Sequence, residues 1–339
     1  MDAYARQALE ALPPAFVERL AQIVPAARYE AVLATFAAPA PTGFRVNTLK
    51  ATGAQVEAAL ADLPLQRVAW KPDAFWVPAE ARAALLASEA YANQHLYVQN
   101  LASMIPPLVL DPQPGEHVLD LTAAPGSKTL QMACQMKDEG EIAAVEVVKG
   151  RFFKLRHNLE AQGATCVRTF LKDGTKVWRY RPEHFDRVLL DAPCSTEGRF
   201  HVSEPGRWAY WSLRKIKEMA RKQQRLLFSA IQCLKPGGTL VYSTCSFAPE
   251  ENERVLDKAL RTFGEALTVE PLPLSLEALV PPLTAWQGTP VAADLSAARR
   301  LLPTPTLEGF FVALLRKHTS TLRDRDPGAS SHRGRRSRR

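Results

Sequence analysis

The chain has 339 residues, 46% of them hydrophobic, and a formal charge of +8. That length and composition suffice to bury a substantial core and favour two domains over one. No run approaches the roughly 18 consecutive apolar residues that cross a bilayer, which excludes a membrane-spanning helix and leads to the expectation of a soluble protein, while the basic balance favours a polyanionic partner such as nucleic acid.

Residues 1–40 read as short amphipathic helices, for example 16–24 and 29–36, closed by Pro39 and Pro41. Residues 41–93 change texture, with strand 44–49, helix 55–63, strand 75–77 and helix 81–91, a small α+β unit ahead of the main domain. In the main domain, residues 94–318, strands at 117–121, 141–147, 166–170, 185–190 and 239–243 alternate with helices at 127–136, 151–162, 212–234 and 250–261. This alternation predicts an α/β fold built on a doubly wound, mostly parallel sheet. Residues 271–305 form an irregular, proline-rich insertion, and 308–315 read as a late edge strand. In the tail, 319–339, seven arginines stand against two aspartates, and disorder is expected there. Such a tail either grips RNA phosphates or is merely solvated.

Val118 to Thr129 is a strand, a tight turn of small residues and a helix start, as at the first ligand loop of a doubly wound fold. Lys128-Thr129 looks like the end of a nucleoside triphosphate loop. With Gly126 as the second glycine of G-x-x-x-x-G-K-[ST], however, Leu121 replaces the first and Ser127 separates Gly126 from Lys128; G-x-G-x-x-G is absent too. What remains is a cofactor with a ribose and an amino-acid head group. Glu146 ends the second strand, where a carboxylate accepts from ribose hydroxyls; Asp173 follows the third, within reach of an adenine edge; Asp191 ends the fourth. Three acids around one crevice point to S-adenosylmethionine, against the competing reading of solvated carboxylates at helix N-caps.

Two cysteines also stand at strand ends, Cys194 in Asp191-Ala192-Pro193-Cys194 and Cys245 in Ser243-Thr244-Cys245-Ser246. Ligand crevices lie outside the carboxyl ends of parallel strands, which run about 4.8 Å apart, so both thiols could face one pocket. Unpaired cysteine otherwise packs as a small apolar side chain, a role that Cys134, Cys166 and Cys233 fit. No C-x-x-C pair and no histidine ligand spacing occur, so no metal is expected, and five cysteines without a signal sequence point to a reducing cytosol. Between the two cysteines, Arg214, Lys215, Lys217, Arg221, Lys222 and Arg225 flank an apolar helical stripe, with Trp208, Tyr210 and Trp211 just before it. The stretch is either a solvated face or a surface for RNA phosphates and bases.

Arg45-Val46-Asn47-Thr48-Leu49-Lys50, Thr122 to Lys128, Asp191 to Ser195 and Ser243 to Ser246, in that order, resemble the Sun-type (Nol/Nop/Sun) RNA cytosine-5 methyltransferases over residues 44–316. Thr122 and Ser127 depart from the cysteine or alanine and the glycine more usual in that loop, and Glu146 from the more usual aspartate. The resemblance implies a class I, Rossmann-like methyltransferase in the cytoplasm. It implies S-adenosyl-L-methionine held by Thr122, Ala123, Ala124, Pro125, Gly126, Ser127, Lys128, Glu146, Asp173 and Asp191, with rRNA or tRNA as partner. It also implies Cys245 as nucleophile and Cys194 as the residue that helps release product; a monomer without membrane or metal is expected.

Carbon 5 of cytosine is a poor nucleophile. A thiolate adding to carbon 6 creates an enamine whose carbon 5 can attack, which splits one hard step into two. Asp191, protonated or sharing a proton at ring nitrogen 3, would stabilise the charge that develops there, and Cys194 would assist the final elimination. The target must be unpaired or extruded. A DNA cytosine-5 methyltransferase would instead use Cys194 and leave Cys245 idle. A non-catalytic RNA-binding assembly factor, or an amine methylase using Asp191-Ala192-Pro193, would need neither thiol.

Overall fold

The computed structural model describes residues 1–322; the arginine-rich stretch 323–339, and with it most of the expected disordered tail, lies outside the described residues. Three short helices open the chain, α1 (Ala3–Ala11), α2 (Pro14–Ile23) and α3 (Ala26–Thr35). Proline marks two of their starts, with Pro14 in the first turn of α2 and Pro25 capping α3, where a missing N–H costs nothing. Their apolar faces do not turn to the unit that follows in sequence. Phe16, Leu20, Leu33 and Phe36 build a core with Phe200, Phe247, Trp211 and Trp286 from the carboxyl-terminal half.

The small unit is an antiparallel sheet in the order β2-β3-β1-β4, made of β1 (Thr42–Val46), β2 (Gln66–Arg67), β3 (Ala74–Val77) and β4 (Leu96–Val98), with helices α4 (Gly53–Ala59), α5 (Arg82–Ala87) and α6 (Glu89–Ala92). The helix predicted over 81–91 is two helices, because Ser88 turns extended and its Oγ accepts from the Tyr91 amide at 3.2 Å to cap the second. Strands β2 and β4, two and three residues long, carry too little alternation to be read from sequence. Polar side chains fasten the unit to the rest. Arg45 is wholly buried, donating from Nε to Gln99 Oε1 at 3.0 Å and from Nη2 to the Ser127 carbonyl at 3.2 Å. Asn47 Nδ2 donates to the Gln162 carbonyl at 2.8 Å.

After α7 (Ile105–Leu110), strands and helices alternate: β5 (His117–Asp120), α8 (Ser127–Gln135), β6 (Glu141–Glu146), α9 (Lys149–Gln162), β7 (Val167–Leu171), β8 (Phe185–Asp191), α10 (Leu213–Cys233), β9 (Leu234–Thr244), α11 (Glu253–Phe263) and β10 (Leu267–Glu270). Four strands of two or three residues follow, β11 (Leu279–Val280), β12 (Ala285–Trp286), β13 (Thr289–Pro290) and β14 (Arg299–Leu301), and then β15 (Phe310–Lys317). The large sheet runs β11-β14-β15-β9-β8-β5-β6-β7, with β10 also on β15. Strands β9, β8, β5, β6 and β7 are parallel and β15 is antiparallel to β9. Helices α10 and α11 pack on one face, and α7, α8 and α9 on the other. The expected doubly wound α/β sheet is therefore present, and Val188, Leu189 and Leu190 of β8 are fully buried, as a strand covered on both faces requires.

Strand β15 is not an edge. The sequence reading made 308–315 the last strand of the sheet, but β9 flanks it on one side and β10 and β14 on the other. The cover comes from β10, just before the proline-rich insertion, and from β14 within it, strands of four and three residues that are too short to show a pattern. A buried ion pair ties that insertion down: Arg300 Nη2 lies 2.5 Å from Glu253 Oε2, Nε is 2.7 Å from Oε1, and Nη1 donates to the Phe247 carbonyl at 2.8 Å. Removing one partner of a buried pair strands the other charge. Arg300→Ala is expected to cost about 3–5 kcal/mol, read as a lowered urea midpoint, and an unchanged midpoint would contradict this account.

Candidate active site

Strands β8 and β9 pair in parallel with Asp191 opposite Ser243. Three residues beyond the first and two beyond the second, the sulfurs of Cys194 and Cys245 stand 3.4 Å apart. Several bonds stitch the two loops together. Ser243 Oγ donates to Asp191 Oδ1 at 2.9 Å, the Ala192 amide to the Ser243 carbonyl at 2.8 Å, and the Gly198 amide to the Cys245 carbonyl at 2.9 Å. Backbone meets backbone here, with no room for side chains: a Cβ on Gly198 would stand 2.1 Å from the Gly309 carbonyl oxygen, and one on Gly309 would stand 2.2 Å from Phe247 Cζ. The adjoining Cys245 sulfur and burial push the Cys194 thiol well above its ordinary value. Either thiol can donate in the sulfur–sulfur contact.

The loop after β5 turns at Gly126, whose φ of +107° lies in the left-handed region that favours glycine. Thr122 Oγ1 donates to the Asp191 carbonyl at 2.8 Å, and Lys128 Nζ reaches both Asp191 Oδ2 and Ser103 Oγ at 2.6 Å. Burial pushes the Asp120 carboxyl up to about 6, although Thr129 Oγ1 donates to it at 2.7 Å. Glu146 is buried at the end of β6; its Oε1 accepts from the Val148 amide at 2.8 Å, and Oε2 lies 3.5 Å from Arg151 Nη1. Asp173 caps the following short helix by accepting from the Thr175 amide at 3.0 Å, so the N-cap reading is met without removing it from the site.

A cavity of about 370 Å³ brings Thr122, Ala124, Pro125, Ser127, Lys128, Glu146, Asp173, Asp191, Cys194 and Cys245 together. Ala123 and Gly126 do not line it; both are buried and shape the loop instead. The sequence reading missed Asn100, Ser103, Arg199, Lys222, Leu226, Glu308 and Phe310 as lining residues. Lys222 lay within a recognised basic stretch, whereas Glu308 and Phe310 arrive only because β15 runs antiparallel to β9 and so starts beside the cysteine ends. Of the basic helix face, Arg214, Lys217, Arg221 and Arg225 are exposed; Trp208 and Trp211 pack into the core of α1 to α3, and Tyr210 is 88% exposed. A second cavity of about 620 Å³ shares Val98, Gln99, Asn100, Arg199 and Glu308 with the first. At that boundary Arg199 Nε is 3.6 Å from Glu308 Oε2. Among the described residues no three His, Cys, Asp or Glu converge as a metal site would need, and no helix is long and apolar enough to cross a membrane.

Residues 107–316 match the family model described as 16S rRNA methyltransferase RsmB/F, and residues 12–101 that of the N-terminal domain of 16S rRNA methyltransferase RsmF. The chain is 37% identical over 284 residues to the tRNA (cytosine(49)-C(5))-methyltransferase of Pyrococcus abyssi, covering 82% of this chain and 89% of that protein. It is 35% identical over 316 residues to the ribosomal RNA small subunit methyltransferase F of Vibrio parahaemolyticus, covering 91% of this chain but 64% of that protein, so it spans less than two thirds of that relative's length. Among solved structures, a methyltransferase homologue from Pyrococcus horikoshii superposes with a TM-score of 0.79 at 33% identity, covering 94% of this chain and 99% of that one. NSun6 from Pyrococcus horikoshii, at 22% identity, 92% and 100% coverage and a TM-score of 0.78, shares the fold.

The glycine contact between the loops is open to test. Gly309→Ala is expected to lower stability by about 1–3 kcal/mol in urea unfolding, since its new methyl group has to displace Phe247, and a neutral substitution would show that the contact is loose.

Proposed function

Because the chain belongs to the RsmB/F family of methyltransferases, we propose that it methylates carbon 5 of a cytosine in rRNA or tRNA, with S-adenosylmethionine as methyl donor. The observation that carries this reading is the sulfur pair, 3.4 Å apart in a cavity that also holds three strand-end acids.

The lining residues fit that cofactor. Glu146 offers acceptor oxygens for two ribose hydroxyls, Leu121, Val147 and Leu226 offer apolar walls for a purine with Asp173 at its edge, and the amides at the start of α8 suit a carboxylate. When bound, the cofactor supplies an electrophilic methyl group. The protein's own part begins with Cys245, whose thiolate adds to carbon 6 of the ring. Asp191 accepts from Ser243 at one oxygen and pairs with Lys128 at the other, so the proton shared toward ring nitrogen 3 comes from the Lys128–Asp191 couple. A base that Cys194 positions takes the carbon-5 proton, the C–H electron pair forms the ring double bond, and the Cys245 sulfur leaves with the electrons of the carbon 6–sulfur bond, which restores the aromatic ring. Cys194, 3.4 Å from that sulfur, is placed to assist this elimination.

The second cavity supports an extruded target. It opens across Arg199 and Glu308, and Arg82, His201 and Arg207 line it, which suits the nucleotides flanking a cytosine drawn into the sulfur pocket.

Cys245→Ala is expected to reduce methyl transfer to background, and Cys194→Ala to accumulate a protein–RNA adduct on a denaturing gel; an active Cys245→Ala enzyme would refute the assignment. Bisulfite sequencing of cellular RNA with and without the protein locates the modified cytosine. Glu146→Ala is expected to raise the calorimetric Kd for S-adenosylmethionine at least about tenfold, the loss of hydrogen bonds to a charged acceptor, and an unchanged Kd would remove Glu146 from the site.

A further inference from the structure

Two buried acids join the loops that carry the sulfurs. Glu197 lies on the Cys194 loop, and its Oε2 accepts from the Phe247 amide of the Cys245 loop at 3.0 Å, while Oε1 accepts from Trp211 Nε1 at 2.8 Å. Glu251 lies beyond Cys245, and its Oε2 accepts from the Ser195 amide of the Cys194 loop at 2.9 Å and from Gln223 Nε2 at 2.8 Å. Each acid thus holds the other's loop. Both also meet one hydroxyl: Ser246 Oγ is 3.1 Å from Glu197 Oε2 and 3.2 Å from Glu251 Oε1. It accepts from the Ala248 amide at 3.0 Å and stands 3.0 Å from Ser195 Oγ.

A hydroxyl carries a single proton. If Ser246 donates to one carboxylate, the other presents an oxygen to a lone pair, unless that carboxyl has a proton of its own to donate. Two full charges would also face each other with one oxygen atom between them. Among the described residues no cation forms an ion pair with either acid; Arg19, whose charge acts on Glu197, spends Nη2 on Glu250 at 2.7 Å. Burial pushes both carboxyls up, Glu251 to about 7.

We propose that Glu197 and Glu251 share one proton through Ser246 Oγ, and that this proton keeps the Cys194 and Cys245 loops in the register that holds the sulfurs together. The two acids are positioning residues. The shared proton stands apart from the reading of the site as a methyltransferase centre; only its catalytic consequence rests on that reading. The other titratable and charged groups packed here are Cys194, Cys245, Tyr242 and two ion pairs. Cys194 and Tyr242 are pushed far up, and Arg19–Glu250 and Arg300–Glu253 are closed ion pairs.

The test measures urea unfolding of the full chain, E251Q and E197Q from pH 4.5 to 8, since glutamine does not titrate; at 251 its amide also donates to Ser246, whereas at 197 both oxygens already accept from N–H groups. An acid whose folded-state value is raised stabilises the fold at low pH, and that stability is lost as pH rises toward the folded value. Relative to E251Q, the wild-type folding constant is expected to fall on the order of a hundredfold between pH 4.5 and 7 and then level off. E197Q gives the same relative change, because the proton is common to both acids. Parallel curves for all three proteins would overturn the shared proton. At saturating substrates, kcat of the wild type is expected to decline above pH 7 while that of E251Q stays level, with KM unchanged in both. An unfolding slope combined with superimposable kcat profiles would overturn the positioning role. Absence of methylation at every pH would be a failure of the proposed function, with the unfolding curves still deciding the proton.

Discussion

The parallel pairing of β8 with β9 is the constraint on which the site depends. Adjacent strands lie about 4.8 Å apart, and with Asp191 opposite Ser243 the two chains leave the sheet side by side. Cysteines three and two residues further on are then brought within contact distance before any loop conformation is chosen. A one-residue slip would turn every side chain of one strand to the opposite face and separate the sulfurs. The loops add a finer adjustment, the Gly198 amide binding the Cys245 carbonyl and Gly309 leaving space for the rings behind.

Around this pairing the protein buries an unusual amount of polar chemistry. Arg45, Lys128, Asp120, Glu197 and Glu251 are all buried. Each would be costly alone, and each is met by hydrogen bonds whose partners come from another segment. Arg45 from the small sheet supports the Ser127 carbonyl at the start of α8, and Lys128 from that helix pairs with Asp191 at the end of β8. Such contacts are weak evidence for stability, but they connect the turn after β5 with the ends of β8 and β9.

The first three helices belong to this arrangement as well. Phe16 packs against Phe200, Trp211 and Phe247, and Arg19 reaches Glu250 in the segment that follows Cys245. These contacts place α2 against both cysteine loops, so the leading helices help to hold the sulfur-bearing segments.

The alternation of strands and helices, the turn from Val118 to Thr129, the strand-end acids and both cysteines were legible because each is local. An apolar run of five or six residues, or a glycine at a forced turn, signals its structure within a few positions. The partnership of Glu197 with Glu251, the buried place of Arg45, the arrival of Glu308 through β15 and the cover that strands of four and three residues give that strand were not legible. Those features arise where segments far apart in the chain come to share one hydrogen-bond donor or one surface. Sequence by itself determined which residues could carry the chemistry. Only the packed sheet decided which of them meet, because parallel pairing and burial, unlike turns and helix starts, act between distant parts of the chain.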